Sequence, residues 1–440
     1  MSSAIVSSYR EDYQTLAPAL PGGGLSWLTQ LRSEALAHFS AHGFPSPREE
    51  EWRYTNVSAI EKKRFVPQGR PNIGAVDTAW LDGYRLPDAW SAVLVNGHFS
   101  AELSRLEGLP ESVTVMSMAK ALQARPDWVE PYLGRVVGPE ENGFVAFNTA
   151  WFSDGLLIRI PAGATPAKPI QLLHVVTGAD GLAAARNLVV VEQGGEARVI
   201  ETFVGPDNAY LVAAVTEAFV GANAGLTFYK MQCESAKAYH FGGLYVKQER
   251  DARLVHHNFA FGGLLARSDV HTDLDQAADC ELNGLYLGVK RQHLDNHTRI
   301  NHRKPYASSR EIYKGVLDDR ARGVFQGRIV VAEDAQKTDA QMNNRNLLLS
   351  EDAEADTKPQ LEIYADDVKC GHGVTVGQLD EKSVFYLQSR CVDEETARNM
   401  LTFAFANEMV GKIGIGSLHD QVLAQVLARF PQEGVDKDWL

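Results

Sequence analysis

The chain has 440 residues, 45% of them hydrophobic and 22% charged, so it carries enough apolar side chains for a large core and is not a disordered polymer. Lys and Arg number 43 against 56 Asp and Glu, a net charge of −13, which disfavours a phosphate backbone as partner; no nucleic acid is expected. Four cysteines cannot form a disulfide framework and fit a reducing compartment. No segment approaches the ~20 uninterrupted apolar residues of a membrane span. The N-terminus, Met1 to Asp12, lacks a basic stretch followed by an apolar one, so no secretory signal is read there. These features predict a soluble cytoplasmic protein with no membrane partner.

In chain order, residues 1–90 read as a helical region. Leu28, Leu31, Ala35 and Phe39 step by three and four along one helix face, with Ser26 as the expected N-cap and Gly43 as the stop. The charged stretch Pro47 to Tyr54 reads as a solvated helix start anchored by Trp52 and Tyr54. Residues 91–150 are mixed, with a strand and turn at Val93–Gly97 and a short helix at Ser117–Ala124. Residues 151–392 alternate short β-branched runs with polar turns, among them 156–160, 188–191, 198–200, 211–215 and 226–229. Residues 393–440 return to helix, opened by Asp393, Glu394 and Glu395. Ser417 to Asp420 resembles a capping box. Leu418, Val422, Leu423, Val426, Leu427 and Phe430 form an apolar stripe that must dock on the chain's own core or on a partner.

Within the strand-rich region alanines recur after polar turns at Ala197, Ala224, Ala252, Ala278, Ala307 and Ala335, spaced 27, 28, 26, 29 and 28 residues apart. A period in this range, with strands and little helix, predicts a parallel β-helix; chance in an alanine-rich chain is the competing explanation. The run Gln341 to Asn346 suits either an amide ladder between coils or an ordinary polar loop.

Most local motifs point to structure rather than chemistry. There is no phosphate-binding Walker loop, and the glycine-rich segment Gly411–Ser417 follows a helix, so it reads as an interhelical loop. His293 and His297 have the spacing of a zinc-protease helix, but Leu294 stands where the Glu base belongs and the segment is strand-like. His302 lies nearby, and structural roles are expected for all three. His256 and His257 face opposite sides of a strand. The most specific constellation is Cys370 and His372, two apart on an extended segment and on one face, between Gly371 and Gly373. Thiolate and imidazole suit zinc, iron or an iron–sulfur cluster. Two ligands fall short of a closed site, which needs about four. From the residues alone, a buried cysteine with a hydrogen-bonded histidine is the commoner arrangement, and metal chemistry the less common one.

Seven segments in order, Tyr313–Leu317, Gly323–Gly327, Ala335–Gln341, Asn346–Ser350, Thr357–Ile363, Ala365–Gly373 and Phe385–Arg390, resemble the SufB/SufD family of the SUF iron–sulfur cluster assembly machinery. Glu50-Glu-Trp-Arg-Tyr-Thr55 and the chain length resemble the shorter of its two branches. The resemblance implies a right-handed parallel β-helix core with N- and C-terminal helical regions and a mainly β fold. It implies a non-enzymatic scaffold that pairs with SufB through the β-helix and binds the ATPase SufC, with the C-terminal helices as the expected docking region. Cys370 and His372 map onto the family's Cys-x-His pair, with His372 the better-supported ligand. A transient iron–sulfur cluster or iron would be shared with a partner subunit and none stably bound by the chain alone. Homodimerisation of the isolated chain, and flavin in the complex, are left open. Gly371 replaces the family's usual serine, and Cys391 its usual glycine; Cys391 is expected to be packed rather than a ligand. The rival readings are a β-helix enzyme acting on polysaccharide and a pure spacer for SufC.

Overall fold

The computed structural model describes residues 4–67 and 73–430; Met1–Ser3 of the N-terminal stretch read above and residues 431–440 of the expected C-terminal helical region lie outside it. The N-terminal helices are α1 (Ala4–Leu16), α2 (Ser26–His42) and α3 (Ser58–Lys62), followed by the short strand β1 (Val66–Pro67) and α4 (Thr78–Asp82). Helix α2 ends at Gly43, whose positive φ of 71° is a backbone conformation that favours glycine. Its start differs from expectation: Leu25 is the N-cap and Ser26 the first helical residue, with no side-chain cap. A hairpin, β2 (Trp90–Val95) and β3 (His98–Arg105), turns through Asn96 and Gly97, both at positive φ. Strand β4 (Thr114–Ser117) leads into α5 (Met118–Ala124), capped by the Ser117 side chain, and α6 (Gly143–Trp151) follows. A Cβ at Gly143 would stand 2.1 Å from the Gly43 carbonyl, so only glycine lets α6 approach the end of α2.

The rest is a β-solenoid of about 8 turns, and strand outweighs helix 39% to 25% over the molecule. One sheet stacks β5 (Leu156–Ile160), β8 (Arg186–Val191), β10 (Leu211–Val220), β12 (Tyr239–Gln248), β14 (Leu265–Leu274), β16 (His293–His302), β18 (Arg322–Val331) and β20 (Glu354–Ile363), all parallel. The other stacks β6 (Ile170–Val175), β9 (Glu196–Val204), β11 (Gly225–Gln232), β13 (Arg253–Ala260), β15 (Asp279–Gly288), β17 (Ser308–Leu317), β19 (Asp339–Leu348) and β21 (Lys369–Gly377). The short β7 (Gly181–Ala183) pairs with β1 and β10. Strand period two sends alternate residues into the lumen, where Leu244, Val270, Leu282, Ile300 and Phe325 form one continuous core.

The corners explain the alanine repeat. Asn223, Asp251, Ala277, Tyr306 and Lys337 all have φ between 55° and 70°. Each donates its N–H to the next coil's corner, to Arg250, Gln276, Pro305, Gln336 and Asp367 in turn, at 2.6–3.0 Å. The next residue turns inward and is buried: Ala224, Ala252, Ala278, Ala307 and Thr338. Strand register corrects the two ends of the series. Gly195, not Ala197, stands beside Ala224, and a corner longer by three residues puts Thr338, not Ala335, beside Ala307. The 341–346 run is strand β19, not a loop. Asn344 and Asn346 point inward; Asn346 donates to Asn344 at 2.7 Å, and both meet the Tyr286 hydroxyl.

One lumen group has a readable pH signature. Burial pushes the Glu311 carboxyl up to about 8. An unfolded glutamate titrates near about 4.3, so across that interval the folded chain keeps a proton that the unfolded chain has lost. Stability therefore falls as pH rises between these values. Urea unfolding of the wild type and Glu311→Gln from pH 5 to 8 is expected to show a slope difference of up to ~1.4 kcal/mol per pH unit. Parallel profiles would contradict the assignment.

The chain ends in α7 (Glu381–Gln388), α8 (Glu394–Val410, capped by Asp393) and α9 (Gly416–Arg429). Helix α7 lies inside the 151–392 span read above as strand-rich; the last strand ends at Gly377. The expected capping box at Ser417 is not formed: Ile415 is the N-cap, and the Ser417 hydroxyl bonds Asp88 instead. The apolar stripe docks on the chain's own core. Leu418, Val422, Val426 and Phe430 are buried against Tyr229, Phe259, Leu285 and Val316 on the outer flank of the second sheet. Lys412 meets Glu281 at 2.7 Å, and Lys314 donates to the Phe405 carbonyl at 3.0 Å. The helices therefore cover a flank of the solenoid, and among the described residues its last rung stays open.

Candidate functional site at the open rung

Strands β20 and β21 form the last rung, and each is paired on one side only. Residue types that are buried on earlier rungs are exposed here, including Ile363, Val374 and Val376. Register fixes which way the last strand faces. Cys370 stands beside Ala340, His372 beside Met342 and Val374 beside Asn344, all lumen residues of β19. Cys370 and His372 are thus inward-type residues with no further rung above them among the described residues, side by side on one face as the sequence spacing implied.

Their environments differ. Cys370 is half-buried against the core, and burial raises its thiol above the ordinary value despite a backbone hydrogen bond from Ala340. The free thiol therefore holds its proton at neutral pH, and a metal must displace it. His372 is exposed, and among the described residues no hydrogen bond holds its ring. Gly371 and Gly373 face the other side. A Cβ there would meet only the flexible ends of Gln341 and Asn343, each at 2.9 Å, so serine in place of Gly371 is accommodated by a side-chain shift. Among the described residues no group of three or more His, Cys, Asp or Glu side chains could hold a metal ion. Cys370 and His372 are two ligand-type side chains at an open edge, and a closed metal site, which takes about four, would need groups beyond these two.

The other candidates are not brought to this rung. Cys280 is buried three rungs down the Cys370 column, its thiol pushed well above the ordinary value by burial. Burial pushes the Cys233 thiol up to about 12. Cys391 corrects an expectation: it is exposed rather than packed, and its φ of 67° explains why glycine would suit the position. His293 and His297 lie on the outer face of the first sheet, while His302 turns inward to Ser309 at 2.9 Å, so the three do not converge. His257 stacks on Tyr229 outside, and His256 faces the lumen, as alternation requires.

The Glu50–Thr55 segment has a larger role than an anchored helix start. It is a 3-10 turn whose Trp52 stacks on Phe144 and lies under the Arg267 guanidinium at 3.6 Å. The Thr55 hydroxyl donates to Asp295 at 2.5 Å, Gln326 donates to Glu51 at 2.7 Å, and Lys358 meets Glu50 at 2.6 Å. These partners sit on β14, β16, β18 and β20, so the segment ties four successive rungs together, the open one included. Its charge pattern marked it as surface; pairing with residues more than 200 positions away left no local signal.

The architecture is that of a parallel β-solenoid scaffold presenting a Cys-x-His pair on its open terminal rung. Two family models cover the chain: the SufBD protein N-terminal region matches residues 3–172, and the SufBD core domain of SUF system FeS cluster assembly matches residues 174–405. The chain belongs to the SufBD family of the SUF iron–sulfur cluster assembly system. It is 34% identical over 403 residues to the iron–sulfur cluster assembly protein SufD of Escherichia coli, covering 88% of this chain and 90% of that protein. It is 32% identical over 418 residues to a SufBD family protein of Synechocystis, with 92% and 91% covered. It is 29% identical over 434 residues to the chloroplastic protein ABCI7 of Arabidopsis thaliana, with 96% and 90% covered. No helix among the described residues is long and apolar enough to cross a membrane.

Proposed function

We propose that this chain is a SufD-type scaffold subunit, not catalytic alone, that works in the cytoplasm with a SufB-type subunit and the ATPase SufC. The observation that carries the reading is the placement of Cys370 and His372 on the inner face of a rung that no further strand covers among the described residues. An open strand edge with Ile363, Val374 and Val376 exposed is a template for another chain's strands. A SufB-type solenoid docking there would bury the apolar rung and bring its own ligands beside His372 and Cys370. Iron or a nascent cluster is then cargo held between two chains, and the chain alone holds none stably. The same edge would serve a homodimer of the isolated chain. SufC is assigned to the helical region, where Phe385 and Tyr386 of α7 are 69% and 57% exposed, because the α9 stripe is already taken by the solenoid.

The test is co-purification with SufB and SufC followed by anaerobic cluster reconstitution. Val374→Lys with Val376→Lys places two charges on the docking edge and no strain in the core. The variant is expected to lose SufB in a pull-down while retaining SufC. Undiminished SufB capture would remove the edge from the interface.

A further inference from the structure

The four-residue histidine spacing that lacks metal-site meaning on β16 has it on a helix. Residues four apart in a strand stand roughly 13 Å from one another, whereas in a helix their Cβ atoms are about 5–6 Å apart on one face. His38 and His42 have this spacing at the C-terminal end of α2. Their rings lie against each other, with centroids 4.3 Å apart and planes tilted by 33°; no other two histidine rings are in such contact among the described residues. The His42 Nδ1–H donates to the His38 carbonyl oxygen at 3.0 Å. A carbonyl only accepts, so Nδ1 carries the proton and Nε2 the lone pair. Anchoring of one ring nitrogen in this way is the usual support of a metal-ligating histidine. His38 is half-buried and His42 exposed. Partial burial and the neighbouring His42 ring hold His38 below the ordinary imidazole range, so it too offers a lone pair at neutral pH.

We propose that His38 and His42 form a clamp for one divalent transition-metal ion of the borderline class, such as zinc, held through one nitrogen of each ring. Imidazole is a preferred ligand of such ions, and a helical i, i+4 pair presents two of them on one face. The rings turn softly about χ2, so both lone pairs can be aimed at one ion without moving the helix. A helix-dipole role accounts less well for the pair. It would need charged rings, and two imidazolium rings 4.3 Å apart repel each other. The Glu140 and Glu49 carboxylates favour positive charge at His38, which a bound cation supplies. Among the described residues no group of three or more His, Cys, Asp or Glu side chains completes a metal site, so water or a group from another molecule takes the remaining positions. The clamp lies on α2 rather than on the open rung, and it stands or falls independently of Cys370 and His372.

The probe is Zn²⁺, titrated calorimetrically into the full chain carrying Cys370→Ala, His372→Ala and Cys391→Ala, so that the open rung and the exposed thiol do not compete. One equivalent is expected to bind in that background, and His42→Ala to abolish the binding. Adding Ser40→His to His42→Ala restores the number of histidines but sets the two rings at i, i+2, where helical side chains do not face each other. This variant is expected to stay silent. A zinc anomalous peak between the two rings in a crystal of the background chain would support the clamp. Absence of binding in the background chain, binding that survives His42→Ala, or binding that returns with Ser40→His overturns it.

Discussion

Cluster assembly by the complex with SufB and SufC is expected to fall at least about tenfold when His372 is replaced by alanine, with the fold intact. The fold is spared because the imidazole is exposed and bonded to no described residue, and such surface changes usually stay within about 0.5 kcal/mol. On the proposed reading assembly suffers because His372 is the candidate ligand whose exposed ring is free to turn toward a partner. Cys370→Ala is expected to cost less, since that thiol is half-buried on the core and burial favours its protonated form. Cluster content on the reconstituted complex, read by its absorption, checks both variants. Wild-type loading on His372→Ala would reduce the chain to a spacer for the ATPase. A larger loss at Cys370 would reverse the order of the ligands.

The second large effect is expected far from that rung. Arg186 and Glu217 form an ion pair at 2.6 Å with side chains 1% and 0% exposed. Arg186 also reaches Thr149 and Asn148 of α6, and Glu217 accepts the backbone N–H groups of Gly134, Arg135 and Val136. The pair therefore holds α6 and the preceding loop against the solenoid. Arg186→Met leaves a buried carboxylate without its counter-ion, a change that costs about 3–5 kcal/mol. A lowered urea midpoint would register it. Arg186→Met with Glu217→Gln is expected to recover more than half, because the amide oxygen still accepts from the loop without carrying charge. A single-variant cost below about 1 kcal/mol would show that the pair contributes little.

The coil architecture was legible because it is written in local chemistry repeated many times. Asn223, Asp251 and the alanines that follow them mark corners through backbone preference and side-chain size, which any window of the sequence displays. Places where one side chain competes between local and distant partners were not legible. Ser417 reads as a cap by spacing, yet its hydroxyl bonds Asp88. Arg186 and Glu217, 31 positions apart, carry no pattern that distinguishes a buried pair from two surface charges. The Cys370–His372 spacing was legible as a shared face. Its exposure was not, because it follows from the lack of a further rung above β21, and the residues themselves are of interior type. The apolar stripe of α9 specified that something must cover it, but not whether the cover was a flank, an end or another protein.

The stacked left-handed corners make the solenoid a ruler with equal divisions. Each coil closes on its neighbour through the same corner bond, so one coil is a self-sufficient unit of length, about 4.8 Å along the axis. The C-terminal helices are pinned by Lys412 to β15 and by Lys314 to β17, whereas Cys370 and His372 ride on the final division. The span between the helical platform and the ligand pair is therefore set by how many coils follow the pinning points. It can change only in whole steps, each carrying the edge outward without altering its chemistry. Coil number therefore sets how far the ligand-type pair stands from the helical platform, a distance that no single contact residue encodes.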